Sequence, residues 1–484
     1  MDNEKEVREY ILNEMSDLID IINNELTDGD EKFKHRFPFY ELKKDLDDFL
    51  EGYVENRAII LPGLRGIGKS TLILQLCDYL VNEKNVDFRR ILYLDASELA
   101  DYLNTGIYET ITYFITEIHH ETLRNMEKPI FIFIDEAQSD LKWAKAGKLL
   151  YDKIKNDKLF IVFTGSSALN IETTADLSRR AKKIQICPMD FGEYLYLNHG
   201  MQIPSSTKNA LEDLIFEGDI DEALKIEEEI LLDGLKYLKK PIEKEWEHYL
   251  LYGELPYGIG KTDIDMKKFN FQLINKILET DLDYIKSYTQ QTKNIARRLV
   301  SYMALQKPGT LSQNKMASYL DSSAGTINSI LFTLEKTHLI FHVEPYGSSG
   351  SRTKKSWEYY FLSANIKYAI ISKLGNVNRN HRECLGILAE NLVASRLAIY
   401  KIKSGRDFQL FFPPESEGVD FIINTLDGKV IPIEVGIGKK SKRQIKKAIK
   451  KYKTDYGIII SNTTNVIKKE DDVIYLPLST FSLM

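Results

Sequence analysis

Cysteine is scarce in this sequence. Only 3 cysteines occur among 484 residues, and Cys77, Cys187 and Cys384 lie too far apart for the paired spacing of a zinc site. Each stands among apolar residues, so we expect each thiol to be a small buried side chain. Such cysteine usage is typical of a protein that folds in the reducing cytosol.

Long hydrophobic runs are also missing. The longest apolar stretches, such as "IFIFI" at 130–134, are far shorter than the roughly 20 residues that a helix needs to cross a bilayer. The opening residues, "MDNEKEVREYI", are charged and have no apolar centre, so no signal peptide is predicted. We therefore expect a cytoplasmic protein without a membrane partner.

A surplus of basic residues is absent as well. The chain has 65 Lys and Arg against 71 Asp and Glu, which gives a formal net charge of -6. The molecule as a whole therefore lacks the basic character of a nucleic-acid-binding protein, and any such contact must come from a local segment. The apolar fraction of 43% is ordinary for a folded protein, and the length predicts about two to four domains.

The segment "AIILPGLRGIGKSTLILQL" gives the strongest signal that is present. A short β-rich run at 58–61 leads into a G-x-x-x-x-G-K-S loop, and a helix with one apolar face follows. Glycines let such a loop wrap a phosphate and direct backbone N–H groups at it. Lys69 reaches the β- and γ-phosphates, and the Ser70 hydroxyl holds magnesium. The predicted ligands are ATP and Mg2+, and the predicted binding residues are Gly63, Leu64, Arg65, Gly66, Ile67, Gly68, Lys69, Ser70 and Thr71.

The segment "KPIFIFIDEAQ" supplies the acidic half of the same site. Its apolar run is typical of a buried parallel strand, and Asp135 follows at the carboxyl end, where α/β sheets bind ligands. Asp135 is predicted to hold the magnesium ion through water. Glu136 is predicted to orient the attacking water, so that Lys69, Asp135 and Glu136 are candidate catalytic residues.

A third strand, "KLFIVFTGSSALN", ends in the hydroxyl side chains of Thr164, Ser166 and Ser167. A hydroxyl beside the catalytic strand can sense the γ-phosphate. The same hydroxyl can cap the next helix, and the two roles are compatible. We count Ser166 among the predicted nucleotide-binding residues.

These motifs, together with "LSRRAKKIQICPMDFGEYL" at 177–195, resemble the prokaryotic AAA+-like enzymes often called archaeal-type ATPases. In that family an arginine stands before the strand that leads to a Pro–x–x–Phe–x–Glu segment, here Pro188–Glu193, and it implies a sensor or finger role. Arg179 and Arg180 match that position, so both are candidate catalytic residues, and which of them acts stays open. By residue chemistry alone, such an arginine can neutralise transition-state charge or pair with a surface acid.

The middle of the chain has helical periodicity. The Gly–Pro turn in "LLYGELPYGI" at 250–259 is similar to one in the lid of the ATPase family. The following part has the spacing of a winged helix, with inward-facing apolar positions and a hairpin whose tip is basic. Its second helix offers hydroxyl and amide groups but no arginine to base edges, so DNA binding and a docking role both remain open. The inward positions are Met316, Leu320, Ile327, Ile330 and Leu334, the helix offers Thr326 and Asn328, and the tip has Arg352, Lys354 and Lys355.

The last hundred or so residues resemble the restriction-endonuclease-like fold. The predicted order is a helix with Glu390, three strands at "FQLFF", "VDFII" and "VIPIEV", of which the last two carry Asp420 and Glu434, a second helix and a closing strand at "YGIIIS". Asp420 and Glu434 are expected to share a divalent cation, with Glu390 in support; the alternative is three acids on an ordinary surface. Such sites normally have a lysine where this chain has Gly436, so we predict little or no cleavage, unless Lys439 or Lys440 substitutes for it.

A strongly basic segment follows that site. Lys439–Lys453, "KKSKRQIKKAIKKYK", has nine basic residues and no acidic residue. Ile445, Ile449 and Tyr452 are expected to pack on one side of its helix. The opposite side would then bind the phosphates of DNA or RNA, although simple solvation is the usual fate of a charged face.

We therefore predict a multidomain α/β protein that binds ATP and acts as a Mg2+-dependent ATPase. Its predicted role is that of a nucleotide-driven regulator or remodeller associated with nucleic acid, active as a homo-oligomer. The alternatives are an ATP-controlled nuclease and a signalling ATPase with a protein partner only. The predicted domains are an N-terminal helical segment (1–34), a P-loop NTPase core with a parallel sheet (35–200), a helical lid (201–289), a winged helix (290–375) and a restriction-endonuclease-like α/β domain (376–484).

Overall fold

A computed structural model describes most of the chain as two compact units. The first consists of Met1–Cys187 with Thr280–Ser287 and Lys336–His338, and the second contains the remainder. The residues that the structure describes are 2–29, 31–165, 177, 179–307, 312–352, 356–375, 381–415, 418–438 and 442–484. Several residues predicted to be functional lie outside these ranges: Ser166, Ser167, Lys354, Lys355, Lys439 and Lys440.

The first unit alternates strands and helices. Helices α3 and α5 each continue into a π-helical turn, at Tyr79–Glu83 and Phe114–Ile118. Its elements are α1 (Asp2–Glu25), β1 (Thr27–Asp28), β2 (Glu31–Lys32), α2 (Phe37–Leu50), β3 (Ala58–Pro62), α3 (Lys69–Asp78), β4 (Ile91–Asp95), α4 (Ala96–Asp101), α5 (Ile107–Tyr113), β5 (Ile130–Asp135), α6 (Trp143–Lys153), β6 (Leu159–Gly165) and β7 (Lys182–Lys183).

Five of these strands form a parallel sheet in the order β4-β5-β6-β3-β7. Strands β3, β5 and β6 are buried along their whole length, because helices cover both faces of such a sheet. Strand β6 lies between β3 and β5, with Leu61 beside Thr164 and Ile134 beside Phe163. The residues that follow β3, β5 and β6 therefore meet at one edge. This parallel core is the P-loop NTPase fold that the sequence predicts.

The apolar core of the first unit explains the fully buried strands. Helices α1, α5 and α6 bury one face each against the sheet, and each fully buried leucine or isoleucine contributes on the order of 1.5–3 kcal/mol. The shared core includes Ile11 of α1, Ile111 of α5 and Leu150 of α6, together with Ile132 and Ile161 of the sheet.

The second unit begins with helices and ends with a large sheet. Its first helices are α7 (Phe191–His199), α8 (Thr207–Glu217), α9 (Asp221–Tyr237), α10 (Ile242–His248) and α11 (Asp263–Lys276), before α12 (Leu282–Ile285), which belongs to the first unit. There follow α13 (Gln290–Leu305), α14 (Gln313–Tyr319), α15 (Ala324–Lys336), β8 (Ile340–Pro345), α16 (Ser349–Arg352), β9 (Glu358–Phe361), α17 (Ala364–Lys373), α18 (His381–Ser404), β10 (Phe408–Phe412), β11 (Phe421–Thr425), β12 (Val430–Gly436), α19 (Lys442–Tyr452), β13 (Gly457–Ser461), β14 (Lys468–Glu470), β15 (Val473–Pro477) and α20 (Leu478–Phe481).

The sheet of the second unit is mixed and has the strand order β14-β15-β13-β12-β11-β10-β8-β9. Strands β8 and β9 form an antiparallel hairpin, and β8 also pairs in parallel with β10, where Phe411 lies beside Glu344. The hairpin predicted as a wing is thus continuous with the C-terminal sheet. It covers the edge of β10, which would otherwise leave unpaired N–H and C=O groups.

The three helices before that hairpin bury the expected side chains. Met316 and Leu320 are 0% and 1% exposed, and Ile327, Ile330 and Leu334 of α15 are each 0% exposed. Three helices and a hairpin therefore follow one another in the predicted order. The predicted lid includes Thr280–Ser287. In the structure this segment packs with the first unit.

The Pro188–Glu193 segment is built into the second unit by a buried arginine. Arg396 of α18 donates to the backbone oxygens of Pro188 (3.3 Å), Met189 (3.4 Å) and Met484 (2.7 Å). Its guanidinium also lies 3.8 Å from Asp190, whose carboxylate caps α7 through the Glu193 N–H. This segment, which the sequence assigns to the ATPase core that ends at residue 200, thus packs within the second unit.

A buried glutamate fixes the Gly–Pro turn of the same unit. Glu254 is 0% exposed and accepts hydrogen bonds from the Ser363 hydroxyl (2.8 Å) and the Asn365 N–H (3.0 Å). Burial raises the pKa of Glu254 to about 7. The Asn365 amide in turn donates to the carbonyls of Tyr249 and Leu250, so the turn is held from both sides.

Candidate functional site

The phosphate loop joins β3 to α3 at the carboxyl edge of the parallel sheet. Gly66 and Gly68 have φ angles of 74° and 86°, a left-handed backbone that favours glycine. A Cβ at Gly63 would lie 2.5 Å from the Ile186 carbonyl oxygen, so this glycine is needed for a close approach. Because α3 begins at Lys69, its first N–H groups face the loop and suit an anion.

The loop has two classes of side chain, the polar Lys69, Ser70 and Thr71 and the apolar Leu64 and Ile67. Lys69 is 6% exposed, and its Nζ donates to the Gly63 and Leu64 carbonyls at 3.0 and 3.1 Å. Burial lowers the pKa of Lys69, and the nearby Glu136 and Asp135 carboxylates oppose that shift. Ser70 is exposed and Thr71 is partly buried. Leu64 and Ile67 are 0% exposed, so their side chains anchor the loop in the core, and only their backbone can meet a ligand.

Asp135 is fixed from three directions. Its Oδ1 accepts from the Thr164 hydroxyl and from the Glu136 N–H (3.0 Å), and its Oδ2 accepts from the Tyr93 hydroxyl (3.4 Å). Thr164 is 0% exposed. Its hydroxyl therefore supports the acidic residue of the neighbouring strand, a third role beside the γ-phosphate sensor and the helix cap that the sequence suggests.

Glu136 is held by an arginine of the phosphate loop. Arg65 Nη1 lies 3.2 Å from Glu136 Oε1 and Nη2 lies 3.4 Å from Oε2, and the Gln138 amide also donates to Glu136. Burial raises the pKa of Glu136, and Lys69 and Arg65 oppose that rise. Glu136 itself has a φ of 48°, an uncommon conformation that is often found at functional sites.

The same arginine binds a second acid that sequence analysis missed. Arg65 Nε and Nη2 donate to Asp281 Oδ1 at 3.1 and 2.9 Å, and Asp281 is 1% exposed. Nothing in "ILETDLDYIK" distinguishes this aspartate from the other acids of a helical stretch. Arg65 was predicted as a nucleotide-binding residue, and in the structure it connects two carboxylates.

The donor set at this edge suits magnesium. The Ser70 hydroxyl and the Asp135 carboxylate are hard oxygen donors, and Mg2+ usually takes few protein ligands and completes its shell with water and substrate phosphates. Asp135 is already oriented by its three hydrogen bonds. Ser70 and Asp135 would hold the ion, as the sequence predicts.

The two candidate arginines lie apart from this edge. Arg180 donates from Nε to Asp152 Oδ1 at 2.7 Å and from Nη2 to Oδ2 at 3.1 Å. Asp152 lies at the end of α6, which leads to the start of β6 and hence toward the amino ends of the strands. Arg179 is exposed. Arg180 thus forms the surface pair that was the alternative to a catalytic role within its own chain.

In the second unit, Asp420 and Glu434 come together as predicted for neighbouring strands. Phe421 pairs with Ile433 in the antiparallel ladder of β11 and β12, so one further step places Asp420 opposite Glu434. Asp420 Oδ2 accepts from the Val435 N–H at 2.6 Å, and Glu434 is 1% exposed. Across the described ranges, no group of three or more His, Cys, Asp or Glu has a metal-binding arrangement.

Two more acids lie beside Tyr360, which interacts with Asp420, and a buried lysine interacts with one of these acids. The Tyr360 hydroxyl donates to Glu358 at 2.9 Å and to Glu390 at 3.4 Å. Burial raises the pKa of Glu358 to about 7. Lys367 of α17 is 2% exposed; burial lowers its pKa to about 8, and Glu390 opposes that shift. Sequence analysis missed Lys367, because it lies far from the motif in the apolar stretch "SANIKYAII".

The basic helix α19 is less positive than the sequence suggests. Ile445 and Ile449 are buried as predicted. Lys442, however, pairs with Glu470, Lys446 lies 3.5 Å from Asp471, and Lys451 pairs with Glu415. The sequence cannot show these pairs, because all three acids lie outside the basic segment. Three exposed lysines, Lys447, Lys450 and Lys453, form no ion pair with another described residue.

Among the described residues, the structure contains no helix that is both long enough and apolar enough to cross a membrane.

Three parts of the chain match known domain families. Residues 55–195 match the AAA domain, and residues 243–379 and 385–481 match two domains of unknown function, DUF8612 and DUF4143. The first match covers the phosphate loop, the acidic pair and the Pro–x–x–Phe–x–Glu segment. Residues 55–195 therefore form an AAA+-like ATPase domain, as the sequence predicts.

Solved structures with related architecture include three proteins. The Aeropyrum pernix Orc1 protein in complex with DNA is 14% identical, with 69% of this chain and 91% of that chain covered and a TM-score of 0.30. RuvB of Thermotoga maritima is 13% identical, with 63% of this chain and 88% of that chain covered and a TM-score of 0.26. Domain III of the replication initiation protein DnaA of Thermotoga maritima is 15% identical, with 42% of this chain and 92% of that chain covered and a TM-score of 0.24.

A relative of nearly the same length extends the match to the whole chain. The uncharacterized protein MJ1637 of Methanocaldococcus jannaschii is 31% identical over 479 residues, which is 99% of this chain and 94% of the relative. That similarity covers the ATPase domain and both domains of unknown function. The chain therefore belongs to the family of MJ1637.

Proposed function

We propose that this protein hydrolyses ATP with Mg2+ and acts as a nucleotide-driven regulator or remodeller. The observation that supports it is one edge of the parallel sheet. There a loop with left-handed Gly66 and Gly68 faces the buried, hydrogen-bonded Asp135 and its neighbour Glu136.

Each group at this edge has a chemical task. The first N–H groups of α3 and Lys69 bind the phosphates, since a charged phosphate accepts more strongly than the loop carbonyls that Lys69 now contacts. Ser70 and Asp135 hold Mg2+, which when bound supplies positive charge at the phosphate oxygens. Glu136 accepts the proton of the attacking water.

Two substitutions test the ATPase. Lys69→Ala should lose nucleotide binding or turnover, whereas Lys145→Ala, an exposed lysine of α6, should leave both unchanged. Glu136→Gln should still bind ATP but turn over on the order of 10²-fold more slowly, the scale of lost general-base catalysis. Normal hydrolysis by both Lys69→Ala and Glu136→Gln would refute the assignment.

We infer that the finger role belongs to Arg179 and acts in a neighbouring copy. Arg180 is held by Asp152, whereas Arg179 is exposed, and an arginine supplied in trans can stabilise the transition-state charge of phosphoryl transfer. The proposal therefore includes a homo-oligomer.

The C-terminal part of the second unit is proposed to bind nucleic acid through α19. Lys447, Lys450 and Lys453 are exposed, and phosphate contacts of this kind depend steeply on salt but little on sequence. Lys447→Glu with Lys450→Glu should abolish binding to a fluorescent DNA at low salt. Lys442→Gln should have a much smaller effect, because Glu470 already neutralises that lysine. If the unmodified protein binds neither DNA nor RNA, the protein-partner alternative replaces this proposal.

We further propose that this unit has a restriction-endonuclease-like site that cleaves poorly. Asp420 and Glu434 oppose each other on antiparallel strands and offer carboxylate oxygens to a divalent cation, with Glu390 in support through Tyr360. Gly436 provides no cation to orient water. Lys367 beside Glu390 is the observation that favours the second candidate, an ATP-controlled nuclease.

A single assay separates these two possibilities. Plasmid and single-stranded DNA are incubated with Mg2+ or Mn2+, with and without ATP. We expect no cleavage above that of an Asp420→Ala variant. Cleavage that disappears in both Asp420→Ala and Lys367→Met would instead establish the nuclease, with Lys367 as its cation.

A further inference from the structure

Arg65 of the phosphate loop contacts two separate acids, Asp281 and Glu136. Both contacts use its planar guanidinium, whose N–H donors form a fork. One edge of the guanidinium, Nε and Nη2, donates to Asp281 at 3.1 and 2.9 Å. The other side faces both carboxylate oxygens of Glu136. A fork held on one edge by a carboxylate loses rotational freedom, so its remaining donors have a fixed direction.

Asp281 is well placed to fix that fork. Its side chain is 1% exposed, and a buried carboxylate is stable only when it is paired. The segment around it has a second contact with the acidic strand, because the Tyr284 hydroxyl lies 3.2 Å from the Ser139 hydroxyl, just after β5. Leu282 is 0% exposed and anchors the turn between these contacts.

The path of the chain gives this contact a special position. The chain leaves the second unit at Glu279, contributes Thr280–Ser287 to the first unit, and returns to the second unit at Tyr288. The segment that holds Arg65 is therefore joined at both ends to the other unit. Arg65 is thus one side chain through which a change in that segment can reach Glu136.

We propose that Asp281 is a positioning residue for ATP hydrolysis, which acts through Arg65 to fix the carboxylate of Glu136. This inference rests on the proposed ATPase function. Asp281 orients the guanidinium, the guanidinium orients both oxygens of Glu136, and Glu136 then meets the attacking water in one direction. Loss of Asp281 leaves the phosphate-binding groups in place but frees the base to rotate.

The test compares turnover with nucleotide binding in four variants. Asp281→Asn and Arg65→Gln should each lower kcat by about 10-fold or more, the scale of a misplaced catalytic group. The KM for ATP and the affinity for a fluorescent ADP should change by less than about threefold. The double variant should be no slower than Arg65→Gln alone, because contributions that act through one residue are not additive. Asp283→Asn, an exposed aspartate of the same turn, is the matched control.

A second measurement does not depend on turnover. Backbone amide exchange in Thr280–Ser287 should be faster in Asp281→Asn and in Arg65→Gln, and unchanged in Asp283→Asn. Normal kcat in Asp281→Asn, or additive losses in the double variant, would overturn the positioning role while the ATPase stands. An inactive wild-type protein would refute the ATPase instead, and unchanged exchange in both variants would then also refute the contact between Arg65 and the segment.

Discussion

Two carboxylate pairs occupy comparable places in the two units, but they obtain their positive charge differently. Asp135 and Glu136 follow a parallel strand, and Lys69 and Arg65 of the adjoining loop face them. Asp420 and Glu434 oppose each other on antiparallel strands, and the buried Lys367, which interacts with Glu390, comes from a separate helix.

The difference bears on what each site can do. In the first unit, cations and acids alternate, so the charge of a bound phosphate and its metal ion can be balanced within about one side-chain length. In the second unit, Glu358 and Glu390 share Tyr360 and add negative charge to the pair. A site with more acids than cations favours binding of a divalent ion over cleavage, because no group meets the developing charge on phosphorus.

The largest expected effect concerns an arginine that a neighbouring copy of the chain would supply to the first site. Arg179→Ala should lower turnover on the order of 10³-fold, as expected for a finger supplied in trans. Arg180→Ala should hydrolyse ATP normally, because its partner Asp152 lies away from the loop. Turnover is measured at concentrations above assembly.

A mixing experiment provides the control for that effect. Arg179→Ala has an intact loop and Lys69→Ala has an intact arginine, so a mixture of these two inactive variants should recover activity in shared assemblies. Normal turnover of Arg179→Ala would contradict the finger role of Arg179. The first site would then have only the cations of its own chain.

A smaller effect is expected from the hydroxyl that supports Asp135. Thr164→Val removes one donor to a buried carboxylate, and hydrogen bonds to charged groups contribute about 1.5–3 kcal/mol. Turnover should therefore fall about 10- to 100-fold, with partial recovery at high Mg2+. Thr164→Ser retains the hydroxyl and should remain close to wild type. Equal activity of the valine and serine variants would show that Asp135 does not need this bond.

The sequence places the groups of the first site at one edge because each of them lies directly beside a recognisable strand. The loop, Lys69, Asp135 and Glu136 each follow a strand whose apolar run is visible, and parallel packing brings the strand ends to one edge. Asp281 could not be found in this way, because it lies 216 residues after Arg65 and nothing local marks it. The role of Thr164 needed the strand order, in which β6 lies between β3 and β5.

The second site is predicted only in part for the same reason. The alternation of β11 and β12 places Asp420 near Glu434, and the amphipathic pattern of α19 buries Ile445 and Ile449. The acids that pair with Lys442, Lys446 and Lys451 come from other elements. Long-range charge pairs leave no periodic signal, so the sequence overstated the positive charge of this helix.

The smallest effect concerns the buried cation of the second site. Burial lowers the pKa of Lys367 to about 8, whereas an unfolded lysine has a pKa of about 10.4. Below pH 8 both states are protonated, and the folded state bears the full cost of the buried charge. Above pH 8 the folded state releases its proton first, so the unfolded state binds more protons and stability rises with pH until about 10.4.

This linkage gives a measurable difference between two variants. From pH 7 to pH 9, the free energy of unfolding of the wild type should rise by about 1 kcal/mol more than that of Lys367→Met, because the variant has no titrating lysine. Lys401→Met, at an exposed position of α18, should retain the rise. Urea unfolding is followed by fluorescence in a Trp143→Phe background, in which Trp246 and Trp357 both lie in the second unit. Identical pH dependence of Lys367→Met and wild type would mean that Lys367 keeps its proton in the folded state across this range. The second site would then hold a permanent cation beside Glu390, and its contrast with the first site would be smaller.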